Sequence, residues 1–123
     1  MVLVDTSVWI DHLRFSELQL ITLLEHGRVS IHPMVIGELA CGNLKNRKEL
    51  LALLKNLPHA VEASHKEVFH CIEKNKLMGK GIGFVDSHLL ASSLLSPNTV
   101  LWTRDRRLND LAGLLDICWK GSY

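Results

Sequence analysis

Two short apolar runs, far apart in the chain, constrain this sequence most: Val2-Leu3-Val4 and Thr99-Val100-Leu101-Trp102. Unbroken apolar runs this short suit strands buried on both faces, as in a parallel sheet covered by helices. Each run ends in hydroxyls and an acid: Asp5-Thr6-Ser7 after the first, Thr103-Arg104-Asp105 after the second. In open α/β sheets, ligands bind just beyond the carboxyl ends of the strands. Both acids therefore belong to the part of the fold that usually carries function.

Between the two runs the pattern is mostly helical. Val8 to Leu13 reads as a short helix, and Ser16 opens another, with Gln19 at the capping-box position and Gly27 at its end. Val29-Ser30-Ile31 reads as a second strand, after which Pro33 opens a helix carrying Glu38. Asn46 with Glu49, and Ser64 with Glu67, mark two further helix starts, the second helix running toward Met78. Brief strands are expected at Ala60-Val61 and Ile117-Cys118-Trp119. Gly79, Gly81 and Gly83 make a connection into a helix opened by Asp86. Alternating strands and helices imply an α/β fold.

The chain has 123 residues and a formal charge of +1, so one domain with a real core is expected. The start, Met1-Val2-Leu3-Val4-Asp5, meets an acid at once and does not read as a signal peptide, and no apolar run is long enough for a membrane span. Cys41, Cys71 and Cys118 are sparse and show no C-x-x-C spacing, which predicts free, buried thiols in a reducing compartment. The seven histidines show no zinc-ligand spacing. His88 reads either as a substrate contact or as a structural residue. Asp11 is expected on an exposed helix face, paired with His12 or Arg14. Trp9, Phe69, Phe84 and Trp102 read as core or dimer contacts sooner than as base-stacking platforms.

The chemistry lies in Asp5, Glu38, Asp86 and Asp105. Asp5 and Asp105 follow strands. Glu38 interrupts the otherwise apolar Met34-Val35-Ile36-Gly37-Glu38-Leu39-Ala40-Cys41, where a charge must reach solvent, find a partner or act. Asp86 follows Gly83-Phe84-Val85 at a helix start, where the helix dipole favours a carboxylate. Four carboxylates converging on one sheet rim would repel one another unless a cation shared the site. The all-oxygen donor set suits Mg²⁺ or Mn²⁺, and so phosphate chemistry. Arg104, Arg106 and Arg107 beside Asp105 are candidate phosphate contacts.

These four segments together resemble a PIN domain, and more narrowly the VapC-type ribonuclease toxins of prokaryotic toxin–antitoxin pairs. The resemblance covers essentially the whole chain, so residues 1–123 are expected to form a single PIN domain. It implies a three-layer α/β/α sandwich around a five-stranded parallel sheet ordered 3-2-1-4-5. It implies cleavage of RNA dependent on Mg²⁺ or Mn²⁺, with Asp5, Glu38, Asp86 and Asp105 at the acidic positions and Thr6 or Ser7, and Thr103, at the hydroxyl positions. Asn109 and Asp110 sit where some members place a further polar group. A structured RNA such as tRNA is the expected substrate, and attack by water would leave a 5′-phosphate and a 3′-hydroxyl. A cognate VapB-type antitoxin, a homodimer and a cytoplasmic location are also implied. We place the antitoxin groove on the leucine-rich faces of the Ser16 and Asn46 helices. The alternatives are a non-catalytic scaffold on the same fold and a phospho-acceptor signalling domain. The latter needs adjacent acids after its first strand, where this chain has Asp5-Thr6.

Overall fold

Val2, Leu3 and Val4 are all buried although successive strand side chains point to opposite faces, so the sheet is covered on both sides. The computed structural model describes residues 1–121. In chain order it contains β1 (Val2–Val4), α1 (Thr6–Phe15), α2 (Leu18–Glu25), β2 (Val29–Ser30), α3 (Pro33–Ala40), α4 (Arg47–Lys55), α5 (His65–Lys74), α6 (Phe84–Leu95), β3 (Val100–Trp102) and α7 (Arg106–Leu114). β1 lies between β2 and β3, parallel to both, with Val4 opposite Trp102. This register sets the residues after β1 beside those after β3.

The expected five-stranded sheet is not what forms. Among the described residues the sheet has three strands, ordered β2-β1-β3. The segments expected as outer strands reach it only by single bridges, Ile31 to His59 and Leu101 to Cys118. Pro58 has no N–H to extend the first contact, which is limited to its carbonyl accepting from Ile31 (2.8 Å) and to Ala60 N–H donating to the Ile31 carbonyl (3.0 Å). At the other edge Asp116, at φ 59°, turns the chain just before Ile117. Leu101 then exchanges one pair of bonds with Ile117 and Trp119, and the Trp119 ring packs on Trp102 at 3.9 Å.

Local chemistry explains the helix ends. Ser64 and Glu67 form the expected capping box of α5, which stops at Lys74, short of Met78. Ser16 does not cap α2. It stands at φ 57° as the C-cap of α1, and Glu17 precedes α2 without a side-chain cap. Asn46 sits at φ 51° and makes no cap bond either. The core joins β1 and β3 to Leu20, Leu23, Val35, Leu89, Leu90 and Leu108. α6 is buried from Ser87 to Ser93, its hydroxyls satisfied in part by its own carbonyls, as with Ser93 on Leu89 (2.8 Å). Trp9 and Trp102 are core residues, whereas Phe69 and Phe84 are exposed and lie against each other at 5.4 Å. All the cysteines are free. Cys71 is buried as expected, but Cys41 is exposed because it caps the end of α3. No described helix is long and apolar enough to cross a membrane.

Candidate active site

Asp5 is where strand geometry becomes chemistry. Its N–H still belongs to the sheet, donating to the Trp102 carbonyl at 2.9 Å, while its side chain caps α1 by accepting from Thr6 N–H at 2.8 Å. The second carboxylate oxygen accepts from Ser7 Oγ (2.8 Å) and Thr103 Oγ1 (2.7 Å). Asp5 is only 6% exposed, so these donors keep a nearly buried carboxylate tolerable.

The hydroxyls extend the network. Thr103 Oγ1 accepts from Asp105 N–H (3.1 Å), and Ser7 Oγ accepts from Arg104 N–H (3.0 Å). Asp105 in turn caps α7 by accepting from Leu108 N–H at 3.0 Å. Thr6 Oγ1 donates to Glu38 Oε1 at 2.7 Å, tying the first turn of α1 to α3. Asp86 is the third residue of α6, not its first, and its carboxylate reaches back to Gly83 N–H at 3.3 Å. Thr6, Ser7 and Thr103 thus each hold an acid.

The four acids share one electrostatic neighbourhood. Asp86 is pushed above the usual carboxylate range, first by burial and then by the negative charges of Asp5, Asp105 and Glu38, against the Gly83 N–H that lowers it. The ion pairs found among the described residues lie elsewhere, where Arg104 meets Asp11 at 3.2 Å and also Glu17. Asp11 therefore pairs with Arg104 and not with His12 or Arg14. Arg104, held by two carboxylates and leaning on the Trp102 ring at 5.9 Å, clasps the end of β3 to α1 and the approach to α2.

Among the described residues, no three His, Cys, Asp or Glu side chains form a ready-made metal shell. The donor set, all carboxylate oxygen, fits a hard cation such as Mg²⁺, which keeps several waters and takes only one or two carboxylates directly.

Sequence reasoning missed His32. Its Nδ1 accepts from Met34 N–H at 3.0 Å, so the proton sits on Nε2, which lies 3.1 Å from Ser92 Oγ. This buried clip joins the start of α3, which carries Glu38, to the middle of α6, which carries Asp86. The available signal was a histidine directly before Pro33, at a helix cap. His88 is buried, with Nε2 3.0 Å from His65 Nδ1 and Nδ1 without a hydrogen-bond partner among the described residues.

Thr103→Val keeps the shape but strips Asp5 of one donor and Asp105 N–H of its acceptor. A loss of about 1–3 kcal/mol in stability is expected, read from denaturant midpoints. A midpoint equal to wild type would mean that this hydroxyl does not organise the site.

The PIN domain family model matches residues 2–114. Ribonuclease VapC32 of Mycobacterium tuberculosis, from strains CDC 1551 and H37Rv, is 46% identical over 108 residues, covering 88% of this chain and 87% of the relative. Two solved structures share the fold. VapBC-1 from nontypeable Haemophilus influenzae has TM-score 0.70 at 16% identity, over 98% of this chain and 97% of that one. FitAcB from Neisseria gonorrhoeae has TM-score 0.66 at 20% identity, over 98% of each chain. With the family model spanning both acid-bearing strand ends and a close relative along most of its length, the chain belongs to the PIN-domain family, among the VapC-type ribonuclease toxins of toxin–antitoxin pairs.

Proposed function

We propose that this chain, acting as a single domain, is an endoribonuclease dependent on Mg²⁺ or Mn²⁺, with Asp5, Glu38, Asp86 and Asp105 as its metal-holding and catalytic acids. One observation carries the reading. Thr103 ties Asp5 to Asp105 and Thr6 ties Asp5 to Glu38, so these acids share one hydrogen-bond network, and no described ion pair supplies a cation to any of the four. When bound, the ion supplies a Lewis acid that activates water and offsets charge on the phosphodiester. The chain's own residues orient the acids. Ser7 and Thr103 fix the Asp5 carboxylate, Thr6 turns Glu38, Gly83 holds Asp86, and the α7 cap holds Asp105. Such fixed orientation matters because a displacement of about 1 Å can cost a hundredfold in rate.

Arg106, in the first turn of α7, is the phosphate contact we favour, since Arg104 is already neutralised by Asp11 and Glu17. A structured RNA such as tRNA is the proposed substrate, in the cytoplasm where the chain would meet it. The proposed partners are a cognate VapB-type antitoxin and a second copy of this chain. A groove of about 570 Å³ with an apolar floor (Ile10, Leu13, Leu39 and Leu50) and charged residues, Arg14 and Lys45, in its lining supports the antitoxin reading. It runs between α1, α3 and the connection into α4, not along the expected α2, and Glu38 stands in its wall. A helix laid there brings a basic side chain within reach of the acids.

Sequencing the ends of cleaved RNA from cells expressing the chain tests the reading. Discrete cuts with 5′-phosphate and 3′-hydroxyl ends, abolished by chelation in vitro, are expected. Cyclic phosphate ends would point instead to attack by the RNA's own 2′-hydroxyl and sink the water mechanism.

A further inference from the structure

The connector Gly79-Lys80-Gly81-Ile82-Gly83 delivers Asp86 to the site, because Gly83 N–H donates to the Asp86 carboxylate. Gly79 and Gly81 hold left-handed backbone at φ 71° and 83°. A β-carbon at Gly79 or Gly83 would meet nothing within 4 Å. At Gly81 it would stand 2.6 Å from Arg107 Cδ, 2.7 Å from Nη1 and 3.0 Å from Nε. Arg107 is the second residue of α7, the helix capped by Asp105. Its side chain therefore lies across the bare Cα of Gly81 and bridges two elements that each present one acid.

We infer that Arg107 is a positioning residue: packed on Gly81, it locks the connector that carries Asp86 against the helix that carries Asp105. The inference rests on the four-acid metal reading. It gives Arg107 a role different from the phosphate contact its charge suggests in the sequence. The role is one of packing. Gly81 serves the same contact, since a methyl group there would displace the arginine stem as well as strain the backbone.

Mn²⁺ binding by calorimetry, RNA binding in the absence of metal, and single-turnover cleavage, all on the full chain, test this. Arg107→Ala and Gly81→Ala are each expected to weaken Mn²⁺ binding by roughly tenfold and slow cleavage in step, as groups that orient metal ligands do. RNA affinity should move less than about twofold in each, and the double variant should be no worse than Gly81→Ala alone, because both changes break one contact. Arg107→Met, which keeps the stem and drops the charge, should bind Mn²⁺ like wild type. If Arg107→Ala and Arg107→Met instead weaken RNA binding equally and leave Mn²⁺ binding intact, Arg107 is a phosphate contact and the inference fails. If Gly81→Ala does not fold, the contrast between Ala and Met at Arg107 decides alone. Asp5→Asn separates the two levels. Unchanged Mn²⁺ binding in that variant overturns the four-acid reading and this inference together. Lost binding there, with Arg107→Ala like wild type, overturns the inference only.

Discussion

Asp5→Asn is expected to lower RNA cleavage by roughly 10²–10³-fold or more while leaving the protein folded. The variant keeps an oxygen able to accept from Thr6 N–H, so the α1 cap survives. Its amide nitrogen can donate to the Ser7 and Thr103 oxygens, each of which has a second lone pair, so those two contacts survive although the hydroxyl hydrogens lose their carboxylate acceptor. What disappears is the charge at the junction of β1 and β3. Expression of the wild-type chain alone should arrest growth, and Asp5→Asn should relieve the arrest. A folded Asp5→Asn protein that still arrests growth at full strength would show that toxicity arises elsewhere. Asp5→Ala is a poorer probe, since it also strands two hydroxyls and a helix N–H in a nearly buried setting.

Mg²⁺ or Mn²⁺ should stabilise the chain strongly. An ion that binds only the native state, at about one hundred times its dissociation constant, adds about 2.7 kcal/mol. For a chain of this size that raises the melting temperature by about 10 °C. The sign for Asp86 follows from its raised proton affinity, caused first by burial and then by Asp5, Asp105 and Glu38. The folded state holds this proton more tightly than the unfolded chain. Its contribution to stability is therefore present below the usual carboxylate range and lost as pH rises through the raised value. At neutral pH without metal, Asp86→Asn should be equal to or slightly more stable than wild type, the gain being small because the group is partly exposed and screened by solvent. With metal the order should reverse, because the variant gives up one ligand. Melting scans at neutral pH, with and without millimolar ion, read both effects. Identical metal responses in wild type and Asp86→Asn would remove Asp86 from the site.

The sequence by itself determined the α/β class and the two buried strands that end in acids, and it singled out the four acids proposed for the site. These are legible because they are local. A fully apolar run bounded by Asp5, or a glutamate inside the apolar helix of Glu38, states its environment in a few residues. The capping box at Ser64 and the helix opened by Pro33 are local in the same way, and both formed. The caps expected at Ser16 and Asn46 did not, because the connections around them needed left-handed backbone at those positions. The outer strands were illegible for a related reason. Ala60-Val61 and Ile117-Cys118-Trp119 have strand composition, but pairing beyond one bridge depends on where Pro58 and the Asp116 turn release the chain. Only the tertiary structure decided which arginine is spent on structure. Arg104, Arg106 and Arg107 are alike in sequence. Folding sets Arg104 against Asp11 and Glu17 and lays Arg107 over Gly81. The His32 clip to Ser92 was equally hidden, since its partner stands far along the chain on another helix. Residue type and neighbours announce a buried charge, whereas the partner that makes it tolerable is set by packing between elements that no local pattern encodes.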